Sequence, residues 1–236
     1  MRRLLLADVH ANLPAFEAVL GDAGPVEDVV FLGDVVGFGP HPSACVERLR
    51  ALNARAIIGN HDVSVLSRKG KALALAHPVN WEDWTYAQLS EAQLQYLTAL
   101  PEELTIESCG QEVKVIHQPP GAPYLHPKMP DDVLAGHFRN VVGRAIYCGH
   151  SHRLIDRVLD RRRIVCFPAV GQPRNGDPRA GYAVEEDGRL HFRFVSYDVP
   201  SVAADCRRIG LDETFCERWV RFLLTGHDPE WSREYP

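Results

Sequence analysis

The 236-residue chain has no C-x-x-C pair among Cys45, Cys109, Cys148, Cys166, Cys206 and Cys216, and no regular spacing between them. That argues against a cysteine zinc site or a disulfide framework and leaves buried, reduced thiols as the expected state. Long hydrophobic runs are missing too. Before its first aspartate the chain offers only Leu4 to Ala7, short of the ~7 to 15 apolar residues of a signal-peptide core, and nothing later approaches a membrane span. The expectation is a cytoplasmic protein without a membrane partner. Positive charge is also in deficit: 26 Lys and Arg against 31 Asp and Glu give a net charge of −5. No evident basic track is left for nucleic acid. Repeats and low-complexity tracts are absent. What remains is a globular composition, 45% hydrophobic and 24% charged, long enough for one large core or one domain with an appendage.

Short apolar runs recur, each followed by Gly, Asn, His or Pro: LLLADVH, DVVFLGD, RAIIGNHD, VKVIHQPPG and AIYCGHSH. Helical segments at Pro14–Leu20 and Pro42–Leu52 separate the first three, the rhythm of an α/β fold with a largely parallel sheet in its first half. Residues 66–100 read as an inserted pair of helices whose aromatics, Trp81 and Trp84, serve the core. The second half is richer in antiparallel strands. Asp187-Gly188 between two alternating runs signals a hairpin, and the arginines at 161 to 163 read as a solvated turn. After Pro200 two more helices follow. The predicted organisation is a domain over 1–200 with a helical insertion at about 66–100, and a C-terminal helical extension over 201–236 packed on it.

The chemistry lies after the apolar runs. In an extended chain, Asp8 and His10 share a face, because side chains alternate along a strand. Alone, such an Asp-x-His is an ordinary strand end, with Asn12 and Pro14 opening the next helix. It is not alone: Asp34, Asn60 with His61, His117, and His150 with His152 each follow a further run. Open α/β sheets bind ligands at the carboxyl ends of their strands, so these positions belong to one region. A mixed oxygen and imidazole set suits Mn, Fe, Zn, Ni or Co better than Ca or Mg. Seven ligands exceed the needs of one ion. If Asp34 bridges two divalent ions, Asp8, His10, Asp34 and His152 surround one, and Asp34, Asn60, His117 and His150 the other. Four positive charges against two carboxylates leave a site that attracts a phosphate oxyanion and acidifies a shared water.

DVH, GDVVGFG, GNHD, VIH and GHSH, in this order, closely resemble the five motifs of the calcineurin-like metallophosphoesterases over roughly residues 4 to 185. The nearest likeness is to the small bacterial and archaeal branch, to which GDVVGFGPHP and VGQPRNGDPRAGYA also correspond. The resemblance implies a four-layer α/β/β/α sandwich with two mixed sheets and a dinuclear centre with the ligand division given above. It further implies that His61 is a catalytic residue beside the substrate and not a ligand. Several residues depart from the pattern. Gly37 stands where protein phosphatases of this superfamily carry an aspartate supporting the catalytic histidine, which leaves Asp62 as a candidate support. Asp62 also replaces the glutamate common in those enzymes. Cys166-Phe167-Pro168-Ala169 replaces a usual Asn-Pro-Gly-Ser, and Gln118 follows His117 where glycine is usual. His41, Tyr124, His126, Arg139 and Arg174 read as surface or loop-packing residues, Arg174 being the best of them for phosphate contact.

The reading is a metal-dependent phosphoesterase that hydrolyses a phosphodiester or small phosphate ester by attack of a metal-bridging hydroxide. A dedicated protein phosphatase is disfavoured. The alternative is a catalytically weak binding or scaffold protein on the same fold, against which the retention of His61 and all seven ligands argues. Nucleic-acid cleavage shares the chemistry but lacks the basic track.

Overall fold

The computed structural model describes residues 1–76 and 79–227, so the predicted insertion at 77–78 and the predicted extension beyond His227 lie in part outside the described residues. Ten strands form two five-stranded mixed sheets. In the first sheet, β1 (Arg3–Leu6) lies centrally, parallel to β2 (Asp28–Phe31), which in turn pairs with the two-residue β3 (Arg55–Ala56). On its other side β1 runs antiparallel to β9 (Ala180–Glu186), which forms a hairpin with β10 (Arg189–Val195) through Asp187 and Gly188. The second sheet has the order β4 (Glu103–Ser108), β5 (Gln111–Ile116), β6 (Ala145–Cys148), β8 (Arg162–Cys166), β7 (Ile155–Leu159). Its three inner strands are parallel.

Strand alternation divides the core. Leu4 and Leu6 pack on one face with Phe16 and Val19 of α1 (Leu13–Ala23) and Val46 and Leu49 of α2 (Pro42–Ala51). Leu5, Ala7, Val30 and Leu32 pack on the other against Val113, Val115, Tyr147 and Val165 of the second sheet. Beyond that sheet, Ile146, Ile164 and Cys166 meet Leu134 and Phe138 at α6 (Asp131–His137). The layers are therefore α/β/β/α. Both faces of the inner strands are buried, which is why their sequences read as continuous apolar runs.

Two local readings need correction. The β4–β5 hairpin escaped the strand list: ELTIES alternates, and Cys109-Gly110 turns it with both residues at positive φ. The arginine cluster is only partly a turn, made by Asp160 and Arg161; Arg162 and Arg163 already belong to β8. Arg162 donates to the carbonyls of Phe138, Val141 and Gly143, closing off the chain that leads into β6.

The insertion contributes α4 (Trp81–Gln88) and α5 (Glu91–Thr98), next to α3 (Asn60–Leu66). At the C-terminal end, α7 (Val199–Ile209) and α8 (Glu213–Thr225) are capped by Asp198 and Asp212, whose side chains accept from Ser201 and Phe215 amides. They bury Val202, Cys206, Trp219 and Leu223, with Phe38 and Trp81 packed against the same cluster. All six cysteines are free.

A buried ion-pair network joins the two sheets. Arg3, 3% exposed, donates to Glu185 at 2.7 Å, to Asp28 at 2.6 Å and to the Glu107 carbonyl at 2.7 Å. Glu185 also accepts from the Ser108 hydroxyl at 2.8 Å and the Cys109 amide at 2.7 Å. Removing one partner of a buried pair strands the other charge. Glu185→Ala should therefore lower unfolding free energy by about 3 kcal/mol in chemical denaturation; a loss below about 1 kcal/mol would contradict the network's role.

Candidate metal centre

Each proposed ligand follows a strand, but an extended chain does not bring them together. β1 ends at Leu6, and Asp8 and His10 both adopt left-handed backbone, φ 57° and 48°. Asp34, His150 and His152 do the same, at 62°, 62° and 56°. The predicted strand alternation of Asp8 and His10 is thus replaced by a turn that folds both side chains back over the sheet ends. Asp tolerates this region better than most residues, yet such conformations persist only where surrounding contacts impose them. Those contacts are backbone bonds between loops: Asp8 N–H to Gly33 C=O at 3.0 Å, His10 N–H to Asp34 C=O at 3.0 Å, and Gly171 N–H to Asp8 C=O at 2.9 Å. Gly59 allows the third loop to approach, since a β-carbon there would lie 2.0 Å from Asp34 Oδ1.

Two groups of ligating atoms result. In the first, Nε2 of His10 and His152 are 3.0 Å apart, and Asp8 Oδ1 lies 3.4 Å from His152 Nε2. In the second, Asn60 Oδ1 is 3.1 Å from His117 Nε2 and 2.8 Å from His150 Nδ1. Asp34 Oδ2 stands between them, 3.8 Å from His10 Nε2 and 3.2 Å from His117 Nε2. Asp8 also lies within ligating range of Asp34 and His117. The structure thus brings all seven predicted ligand residues to one place.

The chemistry of this donor set fits cations. Carbonyl oxygens of Leu32 and Gln172, each at 2.7 Å, take the Nδ1 protons of His117 and His152. Rings fixed in this way turn Nε2 toward the cluster, and a ring in its neutral form presents a lone pair there. Asp8 Oδ2 and Asp34 Oδ2 are buried and receive no well-aligned hydrogen bond among the described residues, an expensive arrangement unless a positive charge compensates. Burial pushes His10 and His152 well below their usual pKa. Burial, reinforced by His117, takes His150 down to about 3, so these rings favour the neutral, ligating form. For His117 burial pulls the same way, but the Asp34 carboxylate overcomes it and holds the ring's pKa up to about 10. Negative charge is concentrated at this point.

His61 occupies a different position. Its amide donates to Asp34 Oδ1 at 2.8 Å, orienting the central carboxylate, while its ring packs on Phe38 at 4.4 Å and Trp81 at 5.5 Å. Asp62 does not support that ring. Its two oxygens accept from the amides of Asp34, Val36 and Gly59, each at 3.0 Å, tying the second and third loops together. A side chain at position 37 would be strained, since the backbone there has φ 104° and a β-carbon would lie 3.0 Å from His61 Cβ.

The sequence reading also misplaced residues around the cluster. Tyr124 stacks on His150 with ring centroids 4.5 Å apart, and Arg174 is 7% exposed, its guanidinium 4.3 Å over Tyr124. Both belong to the site's surroundings and not to a distant surface. Trp81 reaches His61 and is more than a core residue. His41 instead pairs with Asp205 at 3.0 Å, joining the start of α2 to α7, and Arg139 is exposed. Only Arg174 carried a usable signal, following a Gly-Gln-Pro turn. Asp62→Asn should cost about 2 to 3 kcal/mol of stability in chemical denaturation, since an amide NH2 group would face backbone donors in a buried site. Wild-type stability in that variant would contradict the tethering role.

Residues 1–187 match the family model of the calcineurin-like phosphoesterase superfamily domain. A protein of Methanocaldococcus jannaschii is 30% identical over 237 aligned residues, covering 91% of this chain and 95% of that protein. A metallophosphoesterase from Sphaerobacter thermophilus, solved by crystallography, is 36% identical, with a TM-score of 0.79 and coverage of 96% and 99% of the two chains. A hypothetical protein of Pyrococcus horikoshii shares the fold, with a TM-score of 0.80 at 21% identity over 96% and 99% of the chains. On motif order, architecture and these matches, the chain belongs to the calcineurin-like phosphoesterase superfamily.

Proposed function

We propose that the protein is a dinuclear-metal phosphoesterase acting on phosphodiesters or small phosphate esters. The observation that supports it most is Asp34 Oδ2 standing within 3.8 Å of His10 Nε2 and 3.2 Å of His117 Nε2, one oxygen between two groups of ligating atoms. In this reading Asp8, His10, Asp34 and His152 hold one divalent ion, and Asp34, Asn60, His117 and His150 the other; Mn, Fe, Zn, Ni and Co suit such a set. Bound there, the ions supply Lewis acidity toward phosphate and lower the pKa of water.

The chain's own residues account for the rest. His61 faces the phosphoryl group or leaving oxygen, its backbone committed to Asp34 and its ring held by Phe38 and Trp81. No carboxylate among the described residues hydrogen-bonds to its Nδ1. Burial, with no carboxylate on Nδ1 to offset it, lowers the His61 pKa, so the ring less often carries a proton to donate and esters with good leaving groups are favoured. Diesters also carry one negative charge rather than two and need less compensation from surrounding cations. Arg174, close by on Tyr124, adds one positive charge to the surroundings.

Protein loaded with Mn²⁺ should therefore hydrolyse bis(p-nitrophenyl) phosphate with a higher kcat/KM than phosphoserine peptides. His61→Ala should lower kcat on the diester by about 10²- to 10⁴-fold while keeping its metal, the range for a positioned acid–base group, whereas Asn60→Ala should lose metal. Faster turnover of phosphopeptides, or equal metal loss in the two variants, would contradict the assignment.

A further inference from the structure

Helix α8 places Phe215, Trp219 and Phe222 on one face, at the i, i+4, i+7 spacing of a helical stripe, and this stripe borders a cavity of about 220 Å³. Phe38 and Tyr124 line it too, Phe38 lying 5.8 Å from the Phe215 ring, and Gln172, Arg174 and Arg218 add polar groups. Both of these rings also touch the metal cluster's residues: Phe38 packs against His61 at 4.4 Å, and Tyr124 lies nearly parallel to His150 at 4.5 Å and 17°. The cavity therefore adjoins the site, with the Phe38 and Tyr124 rings between them. Arg174 spans it, its guanidinium 4.3 Å over the Tyr124 ring and 4.9 Å over that of Phe222.

Cys216, Trp219, Val220, Phe222 and Leu223 bury the inner side of α8, while Phe215 packs at the edge of that cluster and stays half-buried beside the cavity. Aromatic walls attract flat π-systems through offset stacking and edge contacts, beyond simple apolar burial. The volume is adequate: an apolar cavity of about 150 Å³ accepts benzene.

We propose that this cavity holds a planar aromatic group of the phosphoester whose phosphate lies at the metal cluster, making α8 the wall that selects the substrate. The proposal rests on the phosphoesterase reading and assigns its substrate class. A nucleobase and a simple aryl group share the chemistry.

Isothermal titration of Mn²⁺-loaded protein with non-hydrolysable phosphonates tests it. The ligands are phenyl-, benzyl- and 2-phenylethylphosphonate, their cyclohexyl counterparts, ethylphosphonate and a nucleoside 5′-methylphosphonate. The tightest aromatic ligand should bind at least about tenfold more strongly than ethylphosphonate and more strongly than its cyclohexyl counterpart. Phe215→Ala, at a half-buried position that leaves the inner face of α8 in place, should bring that preference within about twofold. A nucleoside ligand binding more tightly than the phenyl series identifies a base, and the reverse identifies a simple aryl group. Equal affinity for aromatic and saturated ligands, or a preference that survives Phe215→Ala, overturns the proposal. Aromatic preference together with failure to hydrolyse any ester would instead strike the phosphoesterase reading alone.

Discussion

Two aspartates, Asp8 and Asp34, lie fully buried at the carboxyl ends of adjoining parallel strands, and the arrangement around them follows from the need to compensate their charge. An uncompensated carboxylate in a protein interior is very costly. Four candidate imidazoles and one carboxamide gather around the pair, and left-handed backbone at five of the seven candidate residues turns their side chains inward. Each such conformation costs on the order of 1 kcal/mol or more, which the inter-loop backbone bonds and the Asp62 tether must offset. Without that tether the second and third loops would be free to separate, and Asp34 would lose its position between the two groups.

The family and the candidate residues were legible because they are linear features: an apolar run followed at once by Asp, Asn or His, repeated five times. Why the ligands converge was not legible. The Asp8/His10 pairing suggests strand alternation, yet the chain leaves β1 before reaching Asp8, and only coordinates reveal that φ turns positive there. Asp62 was similarly ambiguous, since its position beside His61 in sequence says nothing of where its oxygens point. They point at three amides from two loops.

Residues contributed across the fold were the hardest to read. Tyr124 sits in an irregular segment with no periodic signal, and its place on His150 depends on the fourth and fifth motif loops meeting in space. On α8 the pattern of Phe215, Trp219, Phe222 and Leu223 is that of any packed helix. Only the meeting of α8 with the Phe38 loop converts a core stripe into a wall beside the site. The same loop bears on Gly37: its backbone, at φ 104°, disfavours the side chain that would supply the carboxylate of protein phosphatases, and aromatic packing holds the His61 ring.

The account stands or falls on Asp34 serving two ions at once. Elemental analysis of Mn²⁺-loaded protein after exhaustive dialysis, comparing wild type with Asp34→Asn and verifying the fold of both by circular dichroism, tests this most directly. The bridging carboxylate predicts close to two ions per wild-type chain and a variant depleted at both positions. Two ions retained by a folded Asp34→Asn protein, or a single ion in the wild type, would contradict it.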